Sequence, residues 1–166
     1  MFNLHCTKKL LDRMKPAVEP PAPSTTALGN WYATAWFWRP QLALLVNEKT
    51  LLPVVMPLAP VASLAQRFPD ALAQVLLALD VDLGFVEAEL AQMGQVTCCK
   101  TTNRSVVGML NQFSYLAEGY RDHFGLADPL ALSLKLAGTP CSPLYKGAVC
   151  PDLAVRAWVA GGRLTA

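Results

Sequence analysis

Apolar residues recur along the chain in two periods, which predict strands mainly in its first third and helices mainly after it. Runs of consecutive or alternating apolar residues, bounded by turn residues, are typical of strands. Residues 47–49 form a short polar connection between two such runs, so the three middle strands are expected to form an antiparallel meander. The predicted strands cover residues 2–6, 31–38, 41–46, 50–56 and 95–100.

Segments rich in Ala, Leu and Gln predict helices between and after the strands. The clearest pattern lies in residues 103–124, where apolar residues recur at alternating spacings of four and three and Gly125 supplies a C-terminal stop. This expected buried stripe consists of Val106, Leu110, Phe113, Ala117, Tyr120 and Phe124. Shorter helices are predicted at 8–15, 61–67, 70–79 (with Pro69 in its first turn), 85–93, 129–137 and 151–160.

Strands first, helices between them and a returning strand indicate an α+β domain. The 166 residues are enough for one compact domain with a sizeable core. We expect a four- or five-stranded, mainly antiparallel sheet packed against helices on one face. Residues 1–125 would form the core of this single domain, 1–166, and residues 126–166 a helical C-terminal extension.

Composition narrows the class of protein. The chain is 53% hydrophobic and 16% charged, with a formal charge of +2, which excludes a disordered chain, a coiled coil and a strongly basic nucleic-acid arm. No secretory signal precedes the first strand, and Pro53, Pro57 and Pro60 interrupt the longest uncharged stretch, residues 50–66. We therefore expect a cytoplasmic protein with no membrane-spanning helix.

The five cysteines fit neither a disulfide framework nor a zinc ribbon, because their number is odd and they contain an adjacent pair but no CxxC. They are expected to be plain thiols in a reducing compartment, with a Cys141–Cys150 disulfide as the alternative. Two histidines are too few for a three-histidine site, and no nucleotide or cofactor motif is present. The sequence therefore predicts neither a metal nor a cofactor.

Candidate chemistry is concentrated in Lys100–Ser105, where a predicted strand ends and the long helix begins. Thr102 or Asn103 can cap that helix, and the free amides of its first turn carry partial positive charge. Lys100 and Arg104 add cations where the helix dipole prefers acids, a conflict that a bound phosphate or carboxylate would remove. The plainer interpretation is an ordinary cap beside hydrated surface cations.

Two other features of the sequence can also be interpreted either as ligand-binding or as purely structural. Thr7, Lys8 and Lys9 repeat the pattern of a hydroxyl cap and cations at the start of a helix. The aromatic run of residues 31–38 is compatible with base stacking, but core packing is favoured because aromatic residues are good strand formers. Trp31 is the residue expected to be the exception and to be exposed.

Four segments together resemble an uncharacterised family of small bacterial proteins, a domain of unknown function, over residues 2–124. They are Cys6–Leu11, Leu28–Ala33, Asn47–Val54 and Lys100–Asn111. The resemblance implies no activity, substrate or cofactor, but its polar residues fall at predicted strand ends. We therefore expect one rim of the sheet to hold Thr7, Lys49 and the candidate ligand-binding residues Lys9, Asn47, Lys100, Thr102, Asn103, Arg104 and Ser105.

Three functions remain open from the sequence. The first is a non-catalytic binding module for an anionic or phosphate-bearing ligand, of which a nucleic-acid backbone is one form. The second is a small hydrolase or transferase acting on a phosphorylated substrate, with Arg104 and Lys100 stabilising charge and no base identified. The third is a protein-interaction partner or homo-oligomer subunit, suggested by the high apolar fraction and the proline-containing loop of residues 139–151.

Overall fold

The structure, a computed structural model, describes the backbone of residues 1–165 and the side chains of residues 1–161. Within this part of the chain a five-stranded sheet is combined with six α-helices, which confirms the α+β class. The elements in chain order are β1 (Phe2–Cys6), α1 (Lys8–Met14), β2 (Trp31–Trp36), β3 (Leu42–Asn47), β4 (Pro53–Pro57), α2 (Leu64–Ala78), α3 (Leu83–Ala91), β5 (Val96–Lys100), α4 (Arg104–Phe124), α5 (Pro129–Ala137) and α6 (Pro151–Thr165).

The sheet has the strand order β4-β3-β2-β1-β5 and is mixed rather than mainly antiparallel. The meander predicted for β2, β3 and β4 is present, with Trp31 opposite Asn47 and Leu42 opposite Pro57. β1, however, is parallel to both of its neighbours, β2 and β5. Parallel pairing requires long crossover connections, which α1 with its proline-rich loop and α2 with α3 supply.

Helices cover both faces of the sheet, so the expectation of helices on one face is wrong. Phe2, Leu4 and Cys6 of β1 belong to a core that also contains buried residues of α2, α3 and α6. Alternate residues of β2 and β3 face a second core, formed with α4 and α5. The burial of the strands agrees with this arrangement. Every residue of β2 and β3 is buried, as expected for strands covered on both sides.

Two helix predictions differ from the structure. Residues 64–78 form one helix that continues through Pro69, where two helices were predicted. Pro69 costs a backbone hydrogen bond, but Phe68 and Leu72 on either side are fully buried and hold the helix against the sheet. In α4 the buried stripe ends at Ala117, and Phe124, predicted to be buried, is 79% exposed.

The exposed aromatic residues are not the expected one. Trp31 is 1% exposed and meets Phe68 edge-on, with ring centroids 4.9 Å apart, so the expectation that it is exposed is wrong. Phe37 and Trp38, which follow β2, reach the surface instead. Trp38 lies between Trp36 and the guanidinium of Arg121, 4.5 Å and 4.2 Å away, so neither of its ring faces is open for base stacking.

None of the helices in the described part of the chain is both long enough and apolar enough to cross a membrane.

Candidate functional site

The carboxyl ends of three neighbouring strands meet at one edge of the sheet. Cys6 of β1 is paired with Lys100 at the end of β5 and with Ala33 of β2, which runs parallel to β1 and ends three residues further along, at Trp36. The segments that follow these three strands contain several lysines and arginines. We call this set the cationic rim: Lys8, Lys9, Arg13, Arg39, Lys100 and Arg104.

The rim has a clear excess of positive charge. In residues 7–14, 37–41 and 100–111 the single acid is Asp12, which lies 3.5 Å from Lys8 in an exposed pair. Arg13 donates a hydrogen bond to the side-chain oxygen of Gln41. Within the described residues, Lys9, Arg39, Lys100 and Arg104 have no ion-pair partner. Six cations therefore face one carboxylate along this edge.

The start of α4 is capped by Asn103, one of the two predicted caps. Its side-chain oxygen accepts hydrogen bonds from the backbone N–H groups of Ser105 and Val106, at 3.0 and 3.3 Å. Thr102 instead lies 3.2 Å from the hydroxyl of Tyr32, which also accepts a hydrogen bond from the backbone N–H of Asn103. The cap thus uses two first-turn amides and leaves that of Arg104 outside it.

The stacked rings of His5 and Tyr32 hold the Lys100–Asn103 connection in place. The ring of His5, which is 3% exposed, stacks on Tyr32 at 4.5 Å with an interplanar angle of 14°. His5 Nδ1 lies 2.8 Å from the carbonyl oxygen of Lys100, and because a carbonyl only accepts, Nδ1 carries the proton. Both ends of the Lys100–Asn103 connection are therefore held by side chains of β1 and β2.

Beside this connection is an open cavity of about 420 Å³. Its surface offers hydroxyl groups, one guanidinium and one carboxamide, all of which can donate hydrogen bonds to an anion. No Asp, Glu or His side chain of the described residues lines it, so the cavity itself provides no general base. The lining residues are Thr101, Thr102, Arg104, Val107, Gly108 and Asn111.

The structure separates the roles predicted for Lys100–Ser105. Thr102 and Arg104 line the cavity, whereas Asn103 serves as the helix cap and Ser105 lies outside. Lys100 is paired with Cys6, so its side chain belongs to the face opposite α4. It therefore lies with exposed Lys9 on one side of the edge, while Arg104 lies on the other.

Asn47 and Lys49 do not belong to this rim, so the hypothesis of one shared rim is wrong for both. Asn47 is paired with Trp31, at the start of β2, which places it at the opposite edge of the sheet. Because β3 is antiparallel to β2, its last residue lies where β2 begins. Asn47 is also fully buried, and its carboxamide is occupied by hydrogen bonds to the surrounding turn.

The second predicted helix start, at Thr7, is not side-chain capped. The Thr7 hydroxyl donates to Thr34 Oγ1 at 3.0 Å instead of accepting from a helix amide. The helix that follows has only seven residues, so its dipole is small. Lys8 and Lys9 therefore add charge to the rim at a helix start that has no side-chain cap.

Sequence reasoning missed four of the cavity residues, Thr101, Val107, Gly108 and Asn111. A signal for three of them was available, because positions 104, 107, 108 and 111 lie on one side of a helix. Tyr32 gave no such signal, since it is 70 residues away from its partner Thr102.

A separate chemical feature is the thiol pair of Cys6 and Cys98. All five cysteines are free, and Cys98, half-buried on β5, lies on the same face as Cys6 of β1. A hydrogen bond between the two thiols lowers the pKa of Cys98 to about 7 and, together with burial, raises that of Cys6. Burial raises the pKa of Cys141 to about 11. No group of three or more His, Cys, Asp or Glu side chains in the described residues is placed to hold a metal ion.

We expect Cys98 to be the fastest-reacting thiol of the native protein. The thiolate is the nucleophile, and with a pKa of about 7 half of the Cys98 side chains are ionised near pH 7. Titration with 5,5′-dithiobis(2-nitrobenzoate) should show one fast phase that Cys98→Ser removes and Cys150→Ser leaves in place. Cys6→Ala, which removes the hydrogen-bond donor, should slow this phase roughly tenfold at pH 7 by raising the pKa of Cys98. A fast phase that survives in Cys98→Ser would contradict this assignment.

Comparison with known proteins gives one match. A family model described as a domain of unknown function (DUF6933) matches residues 3–154, a range that includes the rim, α5 and the beginning of α6. No curated protein and no solved structure matches the chain.

Proposed function

The chain belongs to the DUF6933 family, whose description assigns no activity, and we propose from its geometry that it is a non-catalytic binding domain for a phosphate-bearing ligand. The ligand would bind at the cationic rim, with one phosphate in the cavity beside Arg104. The observation that carries this proposal is the row of unpaired cations at one sheet edge, next to a cavity lined by hydrogen-bond donors.

The cavity offers partners suited to phosphate. The planar guanidinium of Arg104 can bind two oxygens of one phosphate at once, and the hydroxyls of Thr101 and Thr102 can donate to them. The positive end of the 21-residue helix α4 adds to this potential. The first turn of α4 contains no acidic residue, so the positive charge at this helix end has no neighbouring carboxylate to balance it. A phosphate placed here would balance that charge.

The arrangement of the rim favours a ligand longer than one phosphate. β1 lies between β2 and β5, so these two strands are two spacings, about 10 Å, apart. β2 also extends from Ala33, the partner of Cys6, to Trp36, about 10 Å further along the strand, which puts its end about 14 Å from that of β5. A single phosphate in the cavity does not extend to the cations that follow β1 and β2. A ligand with several phosphates, or a short stretch of nucleic-acid backbone, would contact both Arg104 and the cations on the other side of the edge.

We expect Arg104→Gln to weaken binding of inorganic pyrophosphate at least tenfold, because it removes a charge-assisted hydrogen bond. Isothermal titration calorimetry measures this, and a fluorescent single-stranded oligonucleotide distinguishes the two forms of ligand. If the oligonucleotide binds, its affinity should fall steeply with salt, with a slope reduced by about one in Arg104→Gln. Arg104 is exposed and unpaired, so the free energy of unfolding should change by less than about 0.5 kcal/mol.

The matched control is Lys49→Gln, which removes the same charge at the opposite edge of the sheet and should leave both affinities unchanged. Absence of saturable binding of either probe by the native protein would refute the proposal. So would equal weakening by the two substitutions, since it would mean that net charge alone acts. If Arg104→Gln unfolds the protein, the segment is structural.

The enzymatic alternative draws less support from the structure. It needs a base near Arg104, and the described residues lining the cavity include no acid or histidine. The protein-partner alternative gains no coherent surface from the two most exposed aromatic residues, Tyr115 and Phe124. They lie nine positions apart in α4, which puts them on opposite sides of the helix.

A further inference from the structure

A second and larger cavity lies at the edge of the sheet opposite the rim. It has a volume of about 750 Å³, within the range of small-molecule sites. It is bounded by Lys49 and Thr50 of the β3–β4 turn, Phe85 of α3, the segment of residues 143–148 and the exposed side of α6 up to Gly161. Its walls are largely apolar, with Phe85, Leu144 and Trp158 as the largest side chains.

Lys49 is the one charged residue among the described residues that line this cavity. Its ammonium group lies 4.7 Å from the centre of the Trp158 ring, and it has no ion-pair partner in the described part of the chain. An unpaired ammonium at the mouth of an apolar cavity attracts a negative group more strongly than one in bulk water, because the low dielectric of the walls strengthens the attraction.

The position of Lys49 is fixed by its surroundings. Its backbone N–H donates to the side-chain oxygen of buried Asn47 at 3.0 Å. Its side chain passes over Gly29, where a Cβ would lie 3.6 Å from Cε of Lys49 and where the positive φ of 79° favours glycine. Trp158 is oriented in turn by donating its indole N–H to the carbonyl of Ala27 at 3.0 Å. Both side chains that define the mouth of the cavity are therefore held by the backbone around them.

We propose that this cavity binds a small organic acid with one negative group and an apolar body, such as a medium-chain or aromatic carboxylate. The carboxylate would pair with Lys49, and the apolar body would pack between Trp158, Leu144 and Phe85. The hydroxyl of Thr50 already donates its proton to Asn47 Oδ1, so it is not free to donate to the ligand. Lys49 is therefore the residue that would pair with the carboxylate. This chemistry differs from that of the rim, because apolar walls and a single cation do not suit a polyphosphate.

The test is calorimetric titration of the full chain with decanoate and with 2-naphthoate. We expect saturable binding of both acids, at least tenfold weaker in Lys49→Gln. Decanol, which has the same chain without the charge, should bind at least tenfold more weakly than decanoate. Ala157→Trp, which fills the cavity from the exposed side of α6, should abolish binding without unfolding the protein. Lys135→Gln, which removes one positive charge from an exposed position on α5 outside this cavity, is the matched control and should bind both acids like the native protein.

Four results would overturn the proposal. The first is absence of saturable binding of either acid, and the second is equal affinity for decanol and decanoate. The third is displacement of decanoate by inorganic pyrophosphate. The fourth is a dimer, detected by light scattering, that Ala157→Trp dissociates, because the cavity would then be an interface between two copies of the chain.

Discussion

Replacing Asn47 with alanine is expected to lower the free energy of unfolding by about 3 kcal/mol or more. Asn47 is fully buried, and its amide nitrogen donates to the carbonyl oxygens of Leu28 and Asn30. Its side-chain oxygen accepts from the backbone N–H groups of Lys49 and Thr50 and from the Thr50 hydroxyl. Alanine would leave several of these buried groups without partners, each at a cost of about 1–3 kcal/mol.

Urea denaturation monitored by tryptophan fluorescence measures this loss. Asn111→Ala is the matched control, because Asn111 is exposed on α4 and its removal should cost less than about 0.5 kcal/mol. An Asn47→Ala protein as stable as the native one would show that the turn does not depend on this side chain.

Glu89 is expected to make stability depend on pH. It is 3% exposed on α3; its Oε2 accepts from the backbone N–H of Leu28 at 2.9 Å, whereas Oε1 has no hydrogen-bond partner in the described residues. Burial raises the pKa of this carboxyl, and the backbone N–H groups of Leu28 and Ala27 offset the effect only in part. Its contribution to stability is thus fully present below the unfolded pKa, about 4.5, and is lost as pH rises through the folded pKa.

Glu89→Gln removes the charge and should remove this dependence. We expect the free energy of unfolding of Glu89→Gln, minus that of the native protein, to rise from pH 4 upwards and then level off. The total rise is about 1.4 kcal/mol for each unit by which the folded pKa exceeds the unfolded one. Urea denaturation at a series of pH values from 4 to 8 gives the curve, with exposed Glu87→Gln as the control on the same helix. A difference that stays flat, or falls with pH, would contradict this account.

Local patterns predicted the elements of this fold well, because the residues that determine them are close in sequence. The meander of β2, β3 and β4, the stripe of α4 as far as Ala117 and the end of that helix at Gly125 are all as expected. The layers were harder to predict. β2 and β3 are apolar except at Thr34 and Asn47, which is typical of strands covered on both faces, but the strand sequences do not specify which helices cover each face.

The candidate site shows the same division between local and distant information. Asn103 as a cap and Arg104 beside it follow from neighbouring residues, and the structure keeps both at the start of α4. The separation of Asn47 from the rim depends on β1 and β5 being parallel to β2, which neighbouring residues do not specify. Trp31 is the first residue of β2, and Trp38 follows the end of that strand. Only the packing of Trp31 against Phe68 in the folded chain determines that Trp31 is the buried one.

The interior position of β1 has a consequence for how the rim is assembled. Leu4 is paired with Trp31 and with Cys98, at sequence separations of 27 and 94 residues, whereas the β2–β3–β4 meander needs only short hairpins. Closing the longer loop costs about 1 kcal/mol more than closing the shorter one, but such distant pairings slow folding. The meander can thus form before β5 joins β1. Lys9 and Arg104 come together only when β5 pairs with β1, so a chain in which only the meander has formed would lack the proposed phosphate site and would not compete with the native protein for that ligand.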